Sequence, residues 1–312
     1  MTEIGKDIAK ARALLEHGLI VAIPTETVYG LAANALDADA VVKIFEVKQR
    51  PRFDPLIVHG ADRDQLTQYV LNFPEWAATL ADKFWPGPLT LVLPKRNIVP
   101  DIVTSGLDTV AVRVPLNPLT HELLTQIEFP LAAPSANPFG YVSPTNPQHV
   151  MDQLGGKISY ILDGGECTVG IESTIVAEHN GSIQILRLGG TSVEEIESVL
   201  GPVTIGTDIG HSPGSMKNHY ATRTPLVLGP IDLRNYDPST TGILSFQKRY
   251  PEIPIEQQVV LSTSGDLRNA SKYLFAAMRH LDSLHLKVIL AEEFPETGLG
   301  RAINDRLRRA AS

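Results

Sequence analysis

Two threonines, alternating cations and a histidine fall within forty residues of one another, and a hydrophobic core requires none of them. The stretch is residues 20–59, IVAIPTETVYGLAANALDADAVVKIFEVKQRPRFDPLIVH. A short apolar run breaks into Pro24-Thr25-Glu26-Thr27. A helix-like stretch then delivers Lys48, Arg50 and Arg52, and the apolar run resumes and stops at His59. Hydroxyls, cations and a histidine at the ends of buried segments suit a pocket for small anions. Residues 1–205 carry 14 Lys/Arg against 24 Asp/Glu, whereas residues 206–312 carry 13 against 11. Against that acidic background the cations Lys43, Lys48, Arg50 and Arg52 are a local exception. They point to a small anionic ligand rather than to a duplex held by counterion release.

Other strand ends carry similar residues. In Thr109-Val110-Ala111-Val112-Arg113-Val114, alternation puts Thr109, Ala111 and Arg113 on one face and the valines on the other. An arginine inside such a strand needs a counter-anion, either a neighbouring carboxylate or a ligand. In Ala132-Ala133-Pro134-Ser135-Ala136-Asn137, small residues admit a close backbone approach, and Ser135 and Asn137 offer hydrogen bonds two residues apart. Ser143 and Thr145 lie in the loop beyond, Ser173 and Thr174 open another strand, and Arg187 ends its partner. Each also has a plainer reading: turn chemistry for Thr25, Thr27, Ser135 and Asn137, a solvated helix end for Lys48, Arg50 and Arg52, a structural ion pair for Arg113, and a satisfied half-buried ring for His59.

The elements that must hold these residues alternate short β-branched runs with amphipathic stretches. Strands are expected at 19–23, 55–59, 89–94, 109–114, 130–133, 159–163, 172–178 and 182–188. Helices are expected at 3–16, 37–47, 62–72, 75–84, 117–126, 146–154 and 192–200. Asn180-Gly181 marks a hairpin between two of the strands, so the sheet should be mixed. Residues 202–224 lack periodicity and read as a linker, yet Lys217, His219 and Tyr220 are odd choices for a spacer, and such a segment suits a lid. Beyond it, runs at 225–228, 242–246, 257–261 and 287–291 with helices at 266–284 and 299–311 imply a smaller, largely parallel α/β domain. The expected organisation is a first domain over 1–203, a linker over 204–224 and a second domain over 225–312.

Composition sets the outer limits. A chain of 312 residues, 43% hydrophobic and 20% charged, has room for two globular domains. No apolar stretch approaches the roughly 20 residues needed to span a membrane. The first 18 residues mix both charge signs and read as a helix, not a signal peptide. The single cysteine, Cys167, excludes an intramolecular disulfide and makes a reducing cytoplasm the default. Neither G-x-x-x-x-G-K-[ST] nor G-x-G-x-x-G is present, and the nine histidines show no ligand spacing. No protein-held metal is expected; magnesium should arrive with a nucleotide.

Taken together, PTETVYGLAANAL, KQRPRFDPLIVH, PGPLTLVL, TVAVRVP, PSANPFGYVSPT, GIESTIV and ILRLGG occur in this order. The set resembles the threonylcarbamoyl-AMP synthases, the YrdC-like family, and SPGSMKNHYA with GLGRAINDRLRRAAS resembles the linker and C-terminal domain of the longer form. The resemblance implies a twisted mixed sheet with surrounding helices and a deep basic cavity, plus a smaller Rossmann-like domain. It implies an enzyme joining L-threonine, bicarbonate or CO2, and ATP into threonylcarbamoyl-AMP and pyrophosphate. That product would feed the machinery that modifies tRNA beside the anticodon, with weak tRNA binding as a further expectation. Carried over by motif, Thr27, His59, Arg113, Ala133 and Ser173 would line the threonine pocket. Arg50, Asp54, Thr109, Ser135, Ser143, Arg187 and Tyr220 would hold ATP. Lys48 with Arg50, and Ser135 with Asn137, form the K-x-R and S-x-N signatures expected to be catalytic. Asp54 stands where many relatives have Asn, and a carboxylate beside triphosphate must face magnesium or a donor. A non-catalytic RNA-binding module and a hydrogenase-maturation carbamoyl-transfer domain are the alternatives. The acidic first domain opposes the former, and the absence of acylphosphatase and zinc-finger segments opposes the latter.

Overall fold

The computed structural model describes residues 1–51, 53–206 and 220–311. Arg52, Lys217, His219 and most of the expected linker lie outside the described residues.

The first sheet is built from β1 (Glu3–Gly5), β2 (Val21–Ile23), β3 (Gly30–Asn34), β4 (Ile57–His59), β5 (Leu89–Pro94), β6 (Thr109–Arg113), β7 (Leu131–Ala132), β8 (Tyr160–Leu162), β9 (Thr174–His179), β10 (Ser182–Arg187) and β11 (Thr204–Ile205). Among the described residues these eleven strands follow the order β1-β8-β2-β3-β7-β4-β6-β5-β9-β10-β11. Parallel and antiparallel pairings mix, as expected from the hairpin. Asn180 and Gly181 both have positive φ (51° and 75°), the backbone that a two-residue turn between twisted strands requires. Three strands depart from the expectation, one of them β11, which pairs with β10 although its residues are expected to open the linker. The segment expected to be helical from residue 3 begins as β1, whose Glu3 pairs with Tyr160, and the helix starts only after Asp7 accepts from the Lys10 amide. β3 reads Gly-Leu-Ala-Ala-Asn, with no β-branched residue; pairing with β2 and β7 makes it a strand.

Flanking helices are α1 (Ile8–Glu16), α2 (Ala38–Lys48), α3 (Arg63–Thr67), α4 (Glu75–Phe84), α5 (Asp101–Thr104), α6 (Pro118–Thr125), α7 (Pro147–Leu154) and α8 (Val193–Leu200). In α2, Asp37 caps the start, Ala40, Val41, Ile44 and Phe45 are buried, and Gln49 ends the helix in the left-handed region at φ 54°. That reversal follows directly on Lys48 and turns Arg50 inward, where its amide bonds Phe45 O.

The second domain is a parallel sheet ordered β12-β15-β13-β14, from β12 (Leu226–Leu228), β13 (Thr241–Ser245), β14 (Gln258–Val260) and β15 (Val288–Ala291). It carries α9 (Leu267–Ser283) and α10 (Gly300–Ala310). A continuous apolar cluster joins Val28, Val142, Ile171 and Tyr220 to Leu274, Phe275, Met278 and Leu307 of these helices. Polar contacts fix the same interface. Arg279 donates to Ser143 O (3.2 Å) and to Val142 O, and the Tyr141 hydroxyl donates to Asp282 (2.6 Å). Among the described residues, no helix is long and apolar enough to cross a membrane.

Candidate active site

Strand register places the first pair of functional side chains. β4 runs parallel to β6 with His59 opposite Arg113, so both emerge together where their strands end. Arg113 is buried and its charge is matched: Nη2 donates to Glu26 Oε1 (2.6 Å) and Thr27 Oγ1 (3.0 Å), and Nε to Gly87 O (3.1 Å). Glu26 in turn accepts from the Leu116 amide (2.9 Å). The counter-anion that the strand pattern demands is therefore Glu26, a residue inside the opening motif to which the sequence reading gives no role.

Thr25 and Thr27 divide their work. The Thr25 hydroxyl accepts from the amides of Thr27 and Val28 and donates to Val28 O (2.6 Å), which makes it the turn former. Thr27 faces the guanidinium. Small residues close this wall: Ala133 Cβ lies 3.2 Å from where a side chain on Gly30 would begin, so anything larger at residue 30 would push Ala133 aside.

Behind them, a β-bulge between Ile185 and Arg187 sets Arg187 opposite Ile175, a place that simple alternation would give to residue 186. Arg187 Nε and Nη2 donate to Ser173 O (3.1 and 2.9 Å), and Nη2 also donates to Ser173 Oγ (3.1 Å). The Ser173 hydroxyl meets Thr90 Oγ1 at 2.7 Å. Burial lowers Arg187 to about 10, with Tyr220 and Glu172 opposing that fall. At that value it stays cationic near neutrality.

These residues surround one cavity of about 570 Å³ including its open mouth. All five residues expected at the threonine end line it: Thr27, His59, Arg113, Ala133 and Ser173. Arg50, Ser135, Arg187 and Tyr220, expected at the nucleotide end, line it too. Five other expected site residues are not among its lining. Lys48 is buried, and its ammonium donates to Ser135 O and Asn137 O, both at 2.5 Å, so it braces the backbone of the S-x-N segment. Burial, then the Arg50 charge, lower its pKa. Asn137 gives its amide to Pro138 O and Tyr141 O. Asp54 is drawn aside by Arg50 in a buried pair at 2.8 Å. Ser143 donates to Glu172 (2.6 Å) behind the wall. Thr109 shares the Arg113 face but sits at the far end of β6, ~13 Å away along the strand.

Glu172 and Thr25, by contrast, do line the cavity although neither is among the site residues carried over by motif, Thr25 being read only as a pocket hydroxyl or a turn former. For Glu172, an acid between Ile171 and Ser173 at a buried strand start was the available signal, since such a carboxylate demands a partner. Its partner is Arg306 of α10 (3.1 Å), from the other domain.

His59 donates Nδ1–H to Ile57 O (3.1 Å), and burial together with the Arg113 charge pushes its pKa from 6.5 down to about 3. The unfolded chain takes up this proton near its ordinary pKa, whereas the folded chain does so only near the lowered value. Stability is therefore lost as pH falls through that window, by about 2 kcal/mol at pH 5. In urea titrations at pH 7 and pH 5, His59→Asn should lose less stability between the two pH values than the parent, by about that amount. Equal losses would show that the ring is not held neutral. His149, lowered to about 4, contributes in both proteins alike.

Comparisons with known proteins agree with this architecture. Residues 13–189 match the Sua5/YciO/YrdC family model, described as telomere recombination, and residues 191–312 match the threonylcarbamoyl-AMP synthase C-terminal domain. The chain is 42% identical to the threonylcarbamoyl-AMP synthase of Pyrococcus abyssi (strain GE5 / Orsay), over 96% of this chain and 93% of that protein. Identity to the Bacillus subtilis (strain 168) threonylcarbamoyl-AMP synthase is 40%, over 97% and 92%. A crystal structure of P. abyssi Sua5 complexed with L-threonine is similar at a TM-score of 0.91 and 39% identity, covering 100% of this chain and 97% of that one. With both sheets, both family segments and nearly the full length accounted for, the chain belongs to the threonylcarbamoyl-AMP synthases, nucleotidyltransferase-type enzymes of the Sua5/YciO/YrdC family, in their two-domain form.

Proposed function

We propose that the protein makes L-threonylcarbamoyl-AMP and pyrophosphate from L-threonine, bicarbonate or CO2, and ATP, and that this adenylate supplies tRNA modification beside the anticodon. One observation carries the reading. One cavity is lined by Thr27, Arg113 and Ser173 together with Arg50, Ser135 and Arg187. That arrangement suits an amino acid at one end and a triphosphate at the other.

The chemistry follows from charge. The neutral threonine amine adds to CO2, forms a C–N bond and releases a proton, giving an N-carboxylate. A carboxylate oxygen of that group then attacks the α-phosphorus, and the bond to pyrophosphate breaks. Both partners are anionic, so buried guanidiniums are needed to reduce their repulsion and to stabilise the departing pyrophosphate. Arg187 and Arg50, both in the cavity lining, would serve in this way, and Arg113 suits a planar carboxylate bidentately. Ser173 and Thr27 can hydrogen-bond a side-chain hydroxyl, which an isosteric valine lacks. Much of the remaining acceleration comes from holding three reactants together.

Magnesium belongs to this scheme as part of the nucleotide. Asp54, Glu26 and Glu172 each engage an arginine, so the carboxylates near the cavity are committed to cations already present. Bound with ATP, the ion would screen phosphate charge.

Purified protein given magnesium, ATP, threonine and bicarbonate should release pyrophosphate. Omitting threonine should reduce release to background; unchanged release would refute the assignment.

A further inference from the structure

The largest fully buried side chain of the described residues belongs to neither sheet. Arg306, on α10 of the second domain, is 0% exposed, although Arg301, Arg308 and Arg309 of the same helix reach solvent or its margin. Helical spacing explains the difference. Residue 306 lies three or four positions from buried Ala302, Ile303 and Ala310, on the face that packs against the first domain.

Its guanidinium makes a closed circuit with the cavity wall. Nε and Nη2 both donate to Glu172 Oε2 (3.2 and 3.1 Å), and Nη1 donates to Leu188 O (2.6 Å) and Asp305 (3.0 Å). Glu172 immediately precedes Ser173, and Leu188 immediately follows Arg187. Arg187 in turn grips Ser173. Arg306 therefore holds, from behind, the two residues that flank the wall. It also lies 5.4 Å from the centroid of the Tyr220 ring, itself part of the lining.

We propose that Arg306 is a positioning residue of the nucleotide site: through it the second domain neutralises Glu172 and fixes the Ser173–Arg187 wall, so that the wall accepts phosphate. This rests on reading that end of the cavity as a triphosphate site. The physical reason is the sign of Glu172. It is a buried carboxylate facing a space meant for polyanions, and its field reaches Arg187. With Arg306 in place, the carboxylate is matched. With Arg306 removed, a buried negative charge stands at the wall and competes with phosphate for Arg187.

The test uses inorganic tripolyphosphate as the probe, titrated calorimetrically into the full chain, with a thermal melt of each variant as a folding control. R306M should bind at least about tenfold more weakly than the parent. E172Q/R306M should bind within about threefold of E172Q, because a neutral amide in place of the carboxylate removes the wall charge that Arg306 neutralises. R306K should fall between parent and R306M, since it restores charge without the fork. A parent-like R306M, or an E172Q/R306M protein as far below E172Q as R306M is below the parent, overturns the proposal. Should R306M not fold, the comparison of E172Q/R306M with E172Q decides alone. A parent that does not bind tripolyphosphate also overturns it. Threonine-dependent pyrophosphate release is measured separately on the parent, so failure of the enzymatic reading shows there and not in the binding cycle.

Discussion

Arg113→Met is expected to reduce threonine-dependent turnover by about 10²–10³-fold in kcat/KM for threonine. Arg113 is a charged donor that lines the cavity together with Thr27, His59 and Ala133. The same substitution should destabilise the fold by about 3–5 kcal/mol, because Glu26 would keep a buried charge with its cation gone. The two effects separate in a second variant. Glu26→Gln combined with Arg113→Met should regain much of the stability, measured by urea denaturation, and none of the turnover. A double variant that recovers pyrophosphate release would mean that Arg113 serves the fold alone.

Arg187→Met should be comparably damaging for a different reason. Arg187 is both a cation in the cavity and the clamp that binds the Ser173 backbone and hydroxyl. Under the proposed reaction, its removal takes away charge that the departing pyrophosphate needs and releases Ser173, which the same proposal assigns to threonine. We expect a loss of about 10²–10³-fold in kcat at saturating threonine. Arg187→Lys should recover only part of it, because an ammonium keeps the charge but not the planar fork that spans Ser173 O and Oγ. Pyrophosphate release across an ATP titration reads the result. A lysine variant equal to the parent would show that charge alone matters, and a methionine variant equal to the parent would remove Arg187 from the reaction.

How far the sequence could be read depended on whether the relevant contacts were local. Val110, Val112 and Val114 flank Arg113 in an alternation that is visible without a structure, and the valines do join the main core cluster while Ala111 packs in a separate one and Arg113 lines the cavity. The Asn180-Gly181 turn needs no tertiary information, since its backbone demands those residue types. Strand β3 was illegible because Gly-Leu-Ala-Ala-Asn carries no local strand preference and depends on its neighbours. Lys48 was legible as a signature residue but not in its geometry. Its ammonium is held by carbonyls of Ser135 and Asn137, 87 and 89 residues downstream. Arg306 was hidden for the same reason. In the sequence it is one arginine among several on an amphipathic helix, and only the docking of α10 makes it a partner of Glu172.

That pairing has a consequence for how the protein is made. Glu172 and Arg306 are separated by 134 residues, and Val142 and Arg279 by 137. At about 5–20 residues per second, a ribosome needs roughly 7–27 s to cover the first interval. Throughout that time the nascent first domain carries Glu172 without its cation, and Val28, Val142 and Ile171 without the helices that cover them. The cavity wall is thus completed after the rest of its domain, during biosynthesis, and until then the growing chain displays an apolar, acidic face that chaperones are suited to shield.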